Sequence, residues 1–167
     1  MGAFATSYIP TLGSTATRNA DSASITTLTP WFNAAAGTVY SQIDTVVSIS
    51  PKLFSRLGPT ISGGIGPYAT STNVILDKNG TGSLITVSGA LVATSTKTAW
   101  SYDGTNVAIS VNGGTVATVA AVLGTPADAL YIGRDSSALT NFLNGHIQSL
   151  RYYPTRLANA SLQSITA

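Results

Sequence analysis

Glutamate is absent from the whole chain, and lysine occurs only at Lys52, Lys78 and Lys97. A surface helix needs charged, flexible side chains on its wet face, and Glu and Lys are the usual suppliers. Without them there is little material for amphipathic helices. Charged residues together make up 8% of the chain, against about 25% in ordinary soluble domains, and small residues and hydroxyls fill the difference. That balance suits strands joined by tight turns, so the fold class expected is all-β. With 167 residues, the chain has the size of one domain and can bury a core without staples. The division expected is a tag, linker or stalk remnant over 1–5 and one β-sandwich domain over 6–167.

Glycine, proline and asparagine cut the sequence into pieces of strand length, the spacing of a sandwich or barrel. Val39 to Ile49 alternates most clearly, with Val39, Ile43, Val47 and Ile49 on one face and Tyr40, Gln42, Asp44 and Ser48 on the other. It predicts a long strand with one buried face. Lys97 to Val119 predicts a three-stranded meander: Trp100, Tyr102, Val107, Ile109 and Val111 alternate with small or polar residues, and Asp103-Gly104 and Asn112-Gly113-Gly114 supply two turns with positive φ. Asn73 to Asp77 and Leu84 to Val87 flank a hairpin signal at Lys78 to Gly82, and Ala129 to Gly133 reads as a short buried strand. Gly58 to Thr72 reads as a loop or an irregular edge strand anchored by Ile61 and Ile65. Gly145 to Tyr153 is a last strand in which Ile147 and Leu150 have opposite parity, so it is covered on both faces or bulged. Leu157 to Ile165 predicts one or two helical turns, with Asn159 a better N-cap than Ala158.

Several function classes fall away. There is no cysteine, which removes disulfides, thiolate metal sites and cysteine nucleophiles together. The net charge is +2, and Arg18, Arg56, Arg134, Arg151 and Arg156 are scattered, so no nucleic-acid footprint is visible. No apolar run approaches the roughly 18 residues of a membrane span, and no membrane insertion is expected.

Three stretches carry a family resemblance. Thr6-Ser7-Tyr8-Ile9-Pro10-Thr11 with Thr17-Arg18-Asn19-Ala20-Asp21, Pro30-Trp31-Phe32-Asn33-Ala34-Ala35-Ala36-Gly37-Thr38, and Leu143-Asn144-Gly145-His146-Ile147 running on through Arg151-Tyr152-Tyr153-Pro154 occur in order. Together with Val111-Asn112-Gly113, they resemble the concanavalin A-like, laminin-G-like jelly-roll domains of bacteriophage tail fibres and head spikes. The resemblance implies an antiparallel β-sandwich with a short C-terminal helix on a virion surface. It further implies a homo-oligomer, a trimer being favoured, with bacterial surface polysaccharide and other virion proteins as partners. Two departures stand out: the family's Glu before Gly-Thr is Ala36, and its helix-capping Ser and Glu are Ala158 and Ser161, which removes the reciprocal capping hydrogen bonds.

A glycoside hydrolase needs two carboxylates about 5 to 10 Å apart, and Asp21, Asp44, Asp77, Asp103, Asp128 and Asp135 are the whole supply. No Asp-x-Asp motif is present, so no catalytic residue is assigned. His146, the single histidine, has no nucleophile-elbow motif beside it and is expected to make a structural hydrogen bond. No cofactor is expected. Calcium is the alternative, through Asp135 with Asn141 or Asp103 with Asn106, although no dense acidic loop is present. Metal-free sugar binding uses an aromatic face and a few fixed polar groups. Trp31, Tyr40, Tyr68, Tyr152 and Tyr153 are the aromatic candidates and Arg56, Asn73 and Arg134 the polar ones. Trp100 is set aside as core, and Tyr152 and Tyr153 alternate, so one of them is expected inside. The leading expectation is a non-enzymatic receptor-binding domain for host surface carbohydrate. The alternatives are a structural capsid-decoration or head-fibre module and, less favoured, a polysaccharide hydrolase.

Overall fold

The computed structural model describes residues 13, 22–45, 52–58, 64–70, 72–78, 82–89, 95–122, 129–134, 142–143 and 145–167. They form strands β1 (Ala23–Ile25), β2 (Gly37–Thr45), β3 (Lys52–Leu53), β4 (Ser55–Gly58), β5 (Ile65–Ala69), β6 (Val74–Lys78), β7 (Gly82–Val87), β8 (Thr96–Tyr102), β9 (Asn106–Val111), β10 (Ala117–Ala120), β11 (Ala129–Ile132) and β12 (Gly145–Tyr153), followed by helix α1 (Asn159–Thr166). The strands make two antiparallel sheets. One runs β1-β11-β4-β5-β6-β7 with β3 also on β5, and the other runs β10-β9-β8-β2-β12. This is the antiparallel sandwich with a short C-terminal helix that the sequence predicts. The opening motif over 6–11 and 17–21, residues 1–5, Val47, Ile49 and Ile61 lie outside the described residues.

The core is the contact between the two sheets. Val39, Ile43, Trp100, Tyr102, Val107 and Ile109 face Leu57, Ile65, Val74, Leu76 and Leu130, all buried. Each fully buried aliphatic side chain of this size stabilises the fold by about 1.5–3 kcal/mol. Between them, Ser41 and Thr98 satisfy one another, Oγ to Oγ1, at 2.7 Å. The meander β8-β9-β10 stands as the alternation predicts, and the hairpin β6-β7 forms as well. β12 is bulged, its register slipping between Ile147 and Ser149.

Four expectations need correction. Within the stretch from Gly58 to Thr72, Ile65–Ala69 is neither loop nor edge: β5 lies inside its sheet between β4 and β6. Gly58 and Gly66 serve close approach rather than turning. A Cβ on Gly66 would lie 2.1 Å from the Ser55 carbonyl oxygen, and one on Gly58 would lie 2.0 Å from the Cα of Gly64. Pro67, which has no N–H to give, still accepts from Phe54 N through its carbonyl at 3.2 Å. At the first meander turn, Asp103 rather than a positive φ does the work. Of the two meander turns, the second alone has residues with positive φ, Asn112 and Gly113 at 49° and 70°, whereas Asp103 Oδ1 accepts from the Thr105 and Asn106 amides at 2.8 and 2.7 Å. The residue at the helix N-cap is Ala158, not Asn159, and it makes no side-chain cap.

The fourth correction concerns β2, which is buried on both faces in its first half. Behind it, α1 lays Leu162 on Tyr40, Ala99 and Ala108, forming a second small core on the outer face of the five-stranded sheet. The two alanines let the helix approach. Packing thereby replaces the missing cap, and Thr166 Oγ1 adds a donor to the Leu162 carbonyl at 2.9 Å.

Candidate functional site

Beyond the footprint of α1, the outer face of the five-stranded sheet carries a row of polar side chains. Alternation along β2 sends Tyr40, Gln42 and Asp44 outward, opposite to Val39 and Ile43. On the neighbouring strand the bulge adds a residue: Ile147 pairs with Ile43 and Ser149 with Gln42, so Gln148 has no register partner. A bulge re-aims the side chain it inserts, and here it turns Gln148 towards Gln42 and Asp44.

These groups form one directed hydrogen-bond chain. Tyr40 Oη donates to Gln42 Oε1 at 3.2 Å, and Gln42 Nε2 donates to Gln148 Oε1 at 2.6 Å and to Ser95 Oγ at 3.2 Å. Gln148 Nε2 donates to Asp44 Oδ2. The direction follows from the carboxylate, which only accepts when ionised. Gln148 must therefore turn its nitrogen to Asp44 and its oxygen to Gln42, and Gln42 in turn must accept from the phenol. Burial pushes the Tyr40 hydroxyl above its ordinary pKa, with the nearby Arg151 charge opposing, so it keeps its proton at neutral pH. The exposed Arg151 guanidinium stands 5.7 Å from the centre of the Tyr40 ring. Asp44 Oδ1 is buried with no hydrogen-bond partner among the described residues, which leaves an acceptor at the far end of the chain.

The eight residues proposed from sequence do not converge. Tyr40 and Tyr153 share the outer face just described, but Tyr40 is 7% exposed and Tyr153 packs into the core under α1, so neither ring offers an open stacking platform. Tyr152 points to the opposite face and packs against the inter-sheet core. Trp31 closes the edge of the sandwich, with its ring edge-on to Tyr152 at 5.1 Å and its Nε1 donating to the Thr27 carbonyl at 3.1 Å. Arg56 belongs to the other sheet. It is 2% exposed and its Nη2 reaches Asp77 Oδ2 at 3.0 Å and the Gly64 carbonyl at 2.9 Å, the work of a structural ion. Tyr68 sits half-buried on β5, in register with Leu53 and Ile75. Asn73 accepts from Gly89 N at 3.1 Å through Oδ1, an Asx contact that pins a turn. Arg134 lies over the Tyr131 ring at 4.7 Å.

Sequence reasoning missed Gln42, Asp44, Gln148 and Arg151 as a group. The parity break at Ile147 and Leu150 was the available signal, since it announced the bulge that brings Gln148 into the row.

The calcium alternative at Asp103 and Asn106 is filled otherwise. Arg156 Nε stands 3.1 Å from Asp103 Oδ2, while Oδ1 is taken by the turn. Asp135 and Asn141 lie outside the described residues, among which no group of three potential metal ligands occurs. Among the described residues, no helix is long and apolar enough to cross a membrane.

No protein-family model and no curated protein matches the chain. Solved structures do. The CBM40 of the Ruminococcus gnavus IT-sialidase superposes with a TM-score of 0.70 at 17% identity, over 81% of this chain and 84% of that one. The chain shares its fold. That structure holds α2,3-sialyllactose, and a second holds α2,6-sialyllactose. The Streptococcus pneumoniae sialidase NanB is also similar, with a TM-score of 0.69 at 12% identity; the alignment covers 85% of this chain but 26% of the sialidase.

Proposed function

We propose that this chain is a non-enzymatic carbohydrate-binding domain that takes an acidic glycan on the outer face of its five-stranded sheet. The observation that carries the reading is the directed chain from Tyr40 through Gln42 and Gln148 to Asp44, flanked by the Arg151 cation. Sugar hydroxyls are read by fixed donors and acceptors, and planar amides held at both ends supply them at little ordering cost. Arg151 is the group that complements a sugar carboxylate. The sialyllactose ligands of the CBM40 structures support an acidic sugar as the first class to try. Of the carboxylates among the described residues, Asp77 is paired with Arg56 and Asp103 with Arg156.

The setting we propose is the surface of a bacteriophage particle. There the domain, over 6–167 and in trimeric form, holds host surface polysaccharide and contacts other virion proteins. Its support is the sequence resemblance at Pro30 to Thr38 and Leu143 to Pro154. A purely structural virion module is the second reading, favoured by the burial of Tyr40, Tyr152 and Tyr153 in packing. One experiment separates them: calorimetric titration with 3'- and 6'-sialyllactose and with host capsular polysaccharides. Saturable binding that weakens at least tenfold in Arg151→Ala and Gln148→Ala is the result expected. Silence towards every glycan, or binding indifferent to both substitutions, gives the structural module the better case.

A further inference from the structure

The turn between β9 and β10 carries a reactive dipeptide, Asn112-Gly113. Glycine has no side chain to shield its amide, so the Gly113 nitrogen can close on the Asn112 side-chain carbonyl carbon to form a five-membered imide, a route that makes asparagine labile. Closure needs two freedoms: the Gly113 amide must lose its proton to water or base, and the Asn112 side chain must swing towards it. Each is held by a different element. Asn112 Oδ1 accepts from Lys97 N at 2.8 Å and Asn112 N donates to the Lys97 carbonyl at 3.0 Å, which ties the residue to β8. The Gly113 amide donates to Thr166 Oγ1 at 3.1 Å, in the last turn of α1.

The helical lock is also a cover. Thr166 is buried, and Ala167 lies so close that a Cβ on Gly113 would stand 3.2 Å from its Cα. Gln163 Nε2 adds a bond to the Gly114 carbonyl at 3.2 Å. Yet α1 has no side-chain cap at its start and is seated on the sheet through Leu162, so it opens before the sheet does. We infer that Asn112 is a latent deamidation site and that docking of α1 is its gate. When the helix lifts, the Gly113 nitrogen attacks Asn112 Cγ, the new N–Cγ bond replaces Cγ–Nδ2, and ammonia leaves with the amide proton. Water then opens the imide at either carbonyl to give aspartate or isoaspartate. In the isoaspartyl product the main chain runs through Cγ and the turn is one atom longer, so Thr166 no longer meets the same N–H and the helix cannot reseat as before. The site is independent of the glycan reading.

The test follows deamidation at position 112 by peptide mass mapping with isoaspartate detection, in mild alkali, beside hydrogen exchange of the Gly113 amide by NMR. A free peptide spanning 110–115 sets the unprotected rate, and the folded chain should react at least about tenfold more slowly. Thr166→Val keeps the shape and removes the acceptor; it should speed both deamidation and exchange about fivefold, the worth of one hydrogen bond. Leu162→Ala, which loosens the seat of the helix, should speed both by more than about tenfold. Asp77→Ala weakens the other sheet and should change neither, which separates helix lifting from global unfolding. A folded chain that deamidates as fast as the peptide, rates unmoved by Thr166→Val and Leu162→Ala, or an acceleration by Asp77→Ala equal to that by Leu162→Ala each overturn the proposal.

Discussion

At Asp103 one carboxylate closes a hairpin and holds the segment before the helix. Hydrogen bonds from the Thr105 and Asn106 amides and the Thr105 hydroxyl, with the Arg156 charge beside them, hold its carboxyl below the ordinary range. A folded-state pKa lower than the unfolded value of about 3.9 means that the stabilisation is fully present above that value and is lost as pH falls through the folded one. Asp103→Asn should therefore cost about 1 kcal/mol at neutral pH. Urea denaturation at pH 7 and at about pH 2.5 should show the gap to the unmutated protein closing in acid; a gap that stays constant would sink the electrostatic account. The second ion pair behaves differently because it is buried. Removing Asp77 by Asp77→Ala leaves the Arg56 guanidinium buried with one charge fewer to answer it, and a loss of about 3 kcal/mol is expected. Arg56→Met should cost less, since Asp77 is nearer solvent and can rehydrate. The sequence displayed Asp77 and Asp103 alike, each beside a turn. It gave no sign that Asp77 answers an arginine 21 positions earlier, because that pairing is made across β5.

Strand alternation was the most legible signal at the scale of elements, and it located β2, the meander and the β6-β7 hairpin. β5 was misread because glycine and proline look the same in a turn as in a strand whose neighbours come too close for a Cβ. Gly66→Ala tests this: with the Ser55 carbonyl in the way, β4 and β5 must separate, and a loss above about 3 kcal/mol or failure to fold is expected by calorimetry. The bulge in β12 allows a cleaner test of function. Deleting Gln148 puts Ile147 and Ser149 next to each other opposite Ile43 and Gln42, which restores regular alternation and keeps Leu150 and Tyr152 on the core face. The deletion variant should fold with a melting temperature within a few degrees of the original, roughly a 1 kcal/mol change, and lose glycan binding. Unaltered binding would remove Gln148 from the site.

For the molecule as a whole, the sandwich was readable from spacing and composition, but the candidate site was not. Tyr40, Gln42 and Asp44 come from one strand and Gln148 from another more than a hundred residues later, and only the register between β2 and β12 makes them neighbours. With Arg151 as an exposed cation of that face, binding of an acidic glycan should weaken as salt rises from about 0.01 to 0.15 M, where the screening length shrinks from about 30 to 8 Å. Flat salt dependence would argue for a neutral sugar. Tyr40 itself belongs to two structures, since its ring is part of the small core under α1 and its hydroxyl begins the chain that ends at Asp44. The helix is therefore a prop beside the binding row on the same face, although it touches no ligand in the arrangement proposed. Leu162→Ala, expected to cost about 2–5 kcal/mol through the cavity it opens, should also let the Tyr40 hydroxyl wander and quicken the release of any sugar held four residues along the strand.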